Sequence, residues 1–284
     1  MNPHSVSSPR FATASARPTD RRSWRAVPVL VVLGGLLGSL VFGQAVPLTQ
    51  AASAIPRGSA IGAGATVRPS ANPTAIAGLR RLTLPAHAGY SLTISSGSFS
   101  TISGRWIEPA IDCTDHNALL MVWVGLDDNG RHLEQAGSFA DCRSGAQTHT
   151  FFYEMYPALP VTVPLPITAG DAVGAEVRYA KGQFTLTVHD YSSGQAWSTV
   201  QKSSAGRVRA QWLLEAPLPY ALAPFGSVTF NNVSASDSAG HRGGLGQSAW
   251  QAWQINMGRA GDSLAVTASP VKSGTSFRVS AHSQ

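Results

Sequence analysis

Residues 210–217 read Ala-Gln-Trp-Leu-Leu-Glu-Ala-Pro. Side chains alternate along a strand, so Trp212 and Leu214 fall on one face and Gln211, Leu213 and Glu215 on the other. The first face is apolar enough to enter a core. The second ends in one carboxylate just before Pro217, whose missing N–H stops the ladder. The stretch predicts a strand that carries an acid on the side away from the core.

The same alternation recurs on either side of it. Residues 98–106, 118–126, 147–156, 172–179, 183–188 and 226–233 read as short strands. Turn signals such as Thr168-Ala169-Gly170-Asp171 and Ser192-Ser193-Gly194-Gln195 separate them. No stretch beyond residue 86 keeps a helical spacing. About ten short strands in roughly 200 residues predict an all-β, antiparallel two-sheet β-sandwich of jelly-roll type. With 284 residues, 28 Gly, 18 Pro and 13% charged residues, the composition points the same way.

The formal charge of +6 does not predict a nucleic-acid partner, because of where it lies. Residues 1–85 hold nine Arg and one acid, whereas residues 86–284 hold twelve Lys or Arg against fourteen Asp or Glu. A nucleic-acid footprint needs its basic residues on the folded part. Here they sit in a leader. Residues 1–54 run from an Arg-rich start through an apolar stretch (26–43) to Ala52-Ser53-Ala54, the pattern of a secretory signal peptide. An uncleaved membrane anchor is the alternative, and the small residues favour removal. Arg21-Arg22 hints at twin-arginine export. Residues 55–85 show no sustained periodicity and only positive charges (Arg57, Arg68, Arg80, Arg81), as in a propeptide or a linker. The folded domain is expected over 86–284, secreted and monomeric. In an oxidising compartment Cys113 and Cys142 are expected to form a disulfide, closing a loop of about thirty residues worth ~3 kcal/mol.

Parity marks further polar positions on one side of several strands. Trp123, Gly125 and Asp127 share a face, as do Phe152, Glu154 and Tyr156, and Gln135 sits with Leu133. Side by side, these strands make a concave floor suited to an extended polymer, a peptide or a sugar chain. No Gly-x-Ser-x-Gly or HExxH motif is present, and the histidines have no spacing that singles out a base. Two cysteines without ordered histidines cannot supply four zinc ligands. Paired carboxylates, Glu215 with Glu154 or Asp127, stay open as glycosidase candidates.

Trp123-Val124-Gly125-Leu126-Asp127, Glu134-Gln135-Ala136-Gly137, Tyr153-Glu154-Met155-Tyr156-Pro157 and Gln211-Trp212-Leu213-Leu214-Glu215 occur in that order. Together with their spacers, from about His87 to the C-terminus, they resemble the glutamic peptidase family, the eqolisins. The resemblance implies a sandwich with a substrate groove on its concave face. It also implies an endopeptidase that works in acid, is insensitive to pepstatin, and needs neither metal nor cofactor. Its catalytic Gln and Glu fall on Gln135 and Glu215, and Trp123, Asp127, Glu154 and Tyr156 would line the groove for a protein or peptide substrate.

Three positions depart from the family pattern. His87 stands where a Trp is usual, Phe139 where an Asp is frequent, and Gln211 where a Glu is common. They reduce the negative charge near the pair, from which a less acid optimum is expected. Two other readings remain: a non-catalytic carbohydrate-binding module using Trp123, Tyr156 and Phe152 as a stacking floor, and an inactive family member acting in recognition.

Overall fold

A computed structural model describes residues 76–258, 266–268 and 274–281. The predicted leader and most of the predicted pro-segment lie outside these residues. The described chain forms β1 (Arg80–Leu84), β2 (His87–Thr93), β3 (Phe99–Ile107), β4 (Ala118–Asp127), β5 (Leu133–Asp141) and β6 (Thr148–Tyr156). There follow β7 (Val161–Pro166), β8 (Ala172–Ala180), β9 (Gln183–Asp190), β10 (Gln195–Lys202), β11 (Arg209–Glu215) and β12 (Ala221–Leu222). The last are β13 (Ser227–Asp237), β14 (Arg242–Gly243), β15 (Gln251–Met257), β16 (Val266–Ala268) and β17 (Phe277–Ala281).

The fold is an all-β sandwich. One sheet runs β1-β15-β2-β11-β4-β5-β6-β7, with the short β12 beside β4, and is antiparallel except for the β1–β15 and β12–β4 pairs. The other runs β13-β3-β8-β9-β10 and is antiparallel throughout. β13 belongs to both: residues 227–230 pair with β17 in the first sheet, and from Asn231 the strand joins β3 in the second. The register shift between Asn231 and Ser234 marks the crossing, as a bulge bends a strand.

Between the sheets lies one large core. Trp212, Leu214, Val122 and Val124 of the first sheet cluster with Ile102, Trp106, Val177 and Phe184 of the second. Burying an aliphatic or aromatic side chain contributes roughly 1.5–3 kcal/mol. A one-residue slip of β11 would expose Trp212 and Leu214 and bury Gln211 and Glu215 instead, so its register is firmly set. The Trp212 indole N–H also donates to the Ser103 carbonyl at 2.8 Å, satisfying its polar atom inside the core. Cys113 and Cys142 are disulfide-bonded, as expected, and tie the segment before β4 to the end of β5.

One boundary needs correction. Residues 55–85 were expected to lack regular structure, yet residues 80–84 form β1 and pair in register with β15, Leu82 facing Ile255. The sandwich therefore begins ahead of residue 86. β7 and β10 were also not expected. β7 carries Pro164 and Pro166, tolerable because it lies at the edge of its sheet. β10 ends the other sheet and has no fully buried residue, so it shows no apolar face to read.

Candidate active site

The outer face of the first sheet is the side turned away from the second sheet. There β11 lies between β2 and β4, and β5 and β6 follow on. Register sets two cross-strand rows. His87, Glu215, Met121 and Phe139 stand opposite one another, and so do Gln211, Gly125, Gln135 and Glu154. A row between them holds Gly89, Leu213, Trp123, Gly137 and Phe152. The side chains of Glu215 and Gln135 thus share one face, on two strands separated by β4.

Glu215 is held from two sides. The Trp123 indole N–H donates to its Oε2 at 2.9 Å, and His87 Nε2 lies 3.5 Å from the same oxygen. Among the described residues no hydrogen bond reaches Oε1. The side chain keeps 15% of its surface exposed. Burial pushes its carboxyl pKa up, but the His87 charge and the hydrogen bonds from His87 and Trp123 outweigh it, so the pKa ends below the usual value. Its neighbours thus favour the carboxylate form.

Gln135 is more enclosed, at 4% exposure. Its Nε2 donates to Glu154 Oε2 at 2.5 Å, while Oε1 is buried with no partner among the described residues. One amide N–H is therefore unused, while Oε1 lies buried. The neighbouring Gly125 leaves little room: a Cβ there would stand 3.0 Å from the Gln135 Cβ and 2.8 Å from Leu133 Cδ1. Gly137 is more tightly constrained, since its Cβ would run into the Val122 carbonyl oxygen and fall 2.7 Å from the Trp123 Cα. Burial lifts the Glu154 carboxyl pKa; the Gln135 bond opposes this and the Glu215 charge adds to it, giving about 7. In acid Glu154 is neutral. Glu215 is the anion.

The remaining predicted positions divide. Tyr156 is half-buried two residues beyond Glu154, opposite Leu133. Asp127 does not line the face as expected. It is 1% exposed, lies 3.3 Å from Arg209 Nε, and accepts from the Asn129 and Gly130 amides, which makes it the anchor of the β4–β5 turn. Trp123 and Phe152 are 1% and 0% exposed, sealed with Met121, Leu213 and Ile255 in a second apolar cluster. Their rings are not offered for sugar stacking, and the carbohydrate reading loses its motivation.

Sequence reasoning noted His87 only as a departure. Its place beside Glu215 follows from the β2–β11 pairing, a contact between residues 128 positions apart that no local pattern announces. The same contact bears on the carboxyl: the His87 charge favours the Glu215 anion.

A family model described as the peptidase A4 family matches residues 85–281. Among solved structures the chain is similar to scytalido-glutamic peptidase bound to a transition-state analogue inhibitor. That match has 21% identity and a TM-score of 0.58, covering 69% of this chain and 98% of that one. It is also similar to SCP-B, an eqolisin-family member in complex with the tripeptide Ala-Ile-His, at 19% identity, a TM-score of 0.55 and the same two coverages. Among curated proteins none matches the sequence.

Proposed function

The chain belongs to the peptidase A4 family, and we propose that it is an acid-acting endopeptidase that cleaves protein or peptide substrates with Glu215 and Gln135. One observation carries the reading. A carboxylate kept ionised against burial, with one oxygen tied to Trp123 and the other open, shares a face with an amide that has an N–H to spare.

In the proposed reaction a water bound at Glu215 Oε1 gives its proton to the carboxylate and adds to the scissile carbonyl. Glu suits this role, because a general base works best near its own pKa and a histidine in acid is already protonated. The second Gln135 N–H donates to the developing oxyanion, and Glu154 fixes the amide plane so that no reorientation is needed. Protonated Glu215 then returns its proton to the leaving nitrogen as the carbon–nitrogen bond breaks. The tripeptide and transition-state analogue carried by the two similar proteins support a peptide on this face. We further propose export through residues 1–54 and action as a monomer on extracellular substrates, with a basic pro-segment removed.

The test is digestion of denatured casein by purified protein from pH 2 to 6 with pepstatin present, beside Glu215→Gln. Wild type is expected to cleave, and folded Glu215→Gln to be inactive. Equal cleavage by the two would refute the assignment of the base.

A further inference from the structure

Glu215 has an unusual neighbour for a base that must work in acid. His87 stands directly opposite it in the β2–β11 ladder, with Nε2 3.5 Å from Oε2. The imidazole packs edge-on to Trp123, with ring centroids 6.3 Å apart and planes at 88°. The two rings thus bracket one carboxylate oxygen, each presenting a nitrogen to it. His87 side-chain exposure is 11%, and its buried Nδ1 has no hydrogen-bond partner among the described residues. The ring's polar contact is with Glu215.

The other groups around the pair leave this contact dominant. β4, β5, β11 and β15 present Met121, Trp123, Phe139, Leu213 and Ile255. β6 contributes Glu154, whose charge interaction with Glu215 is repulsive. From β1, Arg80 stacks over Trp253 at 5.2 Å. Asp127 and Arg209 pair with each other at the far end of the same strands. Among the described residues, His87 is the cation whose charge acts on Glu215.

We propose that His87 is a positioning residue, whose imidazolium clamps the Glu215 carboxylate against the Trp123 N–H and keeps it ionised at acid pH. A neutral side chain at this place would bring no charge to Glu215. The histidine therefore extends the working range of the base downward in pH. The inference rests on Glu215 being the base, yet the pairing can be tested without turnover.

Two measurements decide it. The first is the pH dependence of kcat/KM for wild type, His87→Gln and His87→Lys. The second is titration of the Glu215 carboxyl by 13C NMR in glutamate-labelled protein, its resonance assigned by its loss in Glu215→Gln. An opposite charge at this range shifts a carboxyl by about one pH unit or more. In His87→Gln the acid limb and the Glu215 titration should therefore both move up by about one unit, with kcat falling more than KM rises. His87→Lys, which restores a cation, should recover much of both. In wild type the Glu215 resonance should show a second inflection where the His87 ring titrates. A folded His87→Gln whose acid limb and Glu215 titration overlay wild type would overturn the proposal. If that variant does not fold, the absence of the second inflection in wild type would overturn it equally. A wild type that titrates as described but cleaves nothing would sink the peptidase reading and leave the pairing intact.

Discussion

Two carboxylate–histidine pairs lie on opposite sides of the same sheet, and they are built to different ends. Glu108 and His149 sit on the inner side. His149 Nδ1 lies 2.8 Å from Glu108 Oε1, the Ser138 hydroxyl donates to Oε2 at 2.5 Å, and the Trp106 indole N–H is shared between Ser138 and Oε2. Even His149 Nε2 has a neighbour, Gln147 Oε1 at 3.4 Å. Glu108 is 1% exposed and its polar capacity is taken up. Glu215 and His87, on the outer side, keep one carboxylate oxygen and one ring nitrogen free of partners among the described residues. The residue types are the same. Unfilled hydrogen-bonding capacity at a partly exposed carboxylate is what separates the proposed base from the structural pair.

The comparison breaks if the outer pair can be disturbed without loss of activity, or if the inner pair contributes to it. The largest effect is expected at the outer site. Gln135→Ala removes the proposed oxyanion donor and should lower kcat by ~10²–10³, while leaving buried Glu154 without its partner should cost about 1–3 kcal/mol of stability. Steady-state kinetics beside a thermal melt checks both halves. At the inner site His149→Ala leaves the buried Glu108 Oε1 without its hydrogen-bond partner and should destabilise the fold by about 1–3 kcal/mol. Activity per folded molecule should not change, which urea unfolding and active-site-normalised rates would show. A kcat loss beyond tenfold in folded His149→Ala would erase the distinction.

A smaller, pH-dependent effect sharpens the contrast. Burial raises the Glu134 carboxyl to about 7, against a lowering by the Ser203 hydroxyl bond, and burial raises Glu154 to about 7 as well. For a carboxyl with a raised native pKa the stabilisation is complete below the unfolded value and is lost as pH rises through the native one. Each group therefore favours the folded state at about pH 4 over pH 7, by on the order of 3 kcal/mol at most. Glu215, lowered instead, contributes above the unfolded value and loses that contribution as pH falls through its native pKa. Stability should thus fall between about pH 4.5 and pH 7, and Glu134→Gln should flatten that slope by up to half. Calorimetry across the range measures it, and a slope unchanged in the variant would refute the assignment to Glu134.

The parity of 210–217 was enough to place Trp212 and Leu214 in the core and Glu215 outside it, because one strand's alternation is local. The four motifs carried the family and put Gln135, Glu154 and Glu215 on a common face. What stayed illegible depends on who neighbours whom. Asp127 looked like a groove residue until its turn amides and Arg209 came into view. Trp123 and Phe152 looked like an open aromatic floor, but Leu213 and Ile255 from distant strands join them in a closed cluster. β1 was invisible because five residues, Arg-Arg-Leu-Thr-Leu, owe their strand to an edge some 170 residues further along the chain.

That first strand also sets a limit on how far the chain can be shortened. Leu82 and Leu84 pack against the cluster beneath Glu215, and the Arg81 guanidinium donates to Gln254 at 2.9 Å. A cut ahead of residue 79 would leave the sheet whole. A cut past Leu84 would remove β1 from the β15 edge and strip Leu82 and Leu84 from the cluster that holds Trp123, whose indole binds Glu215.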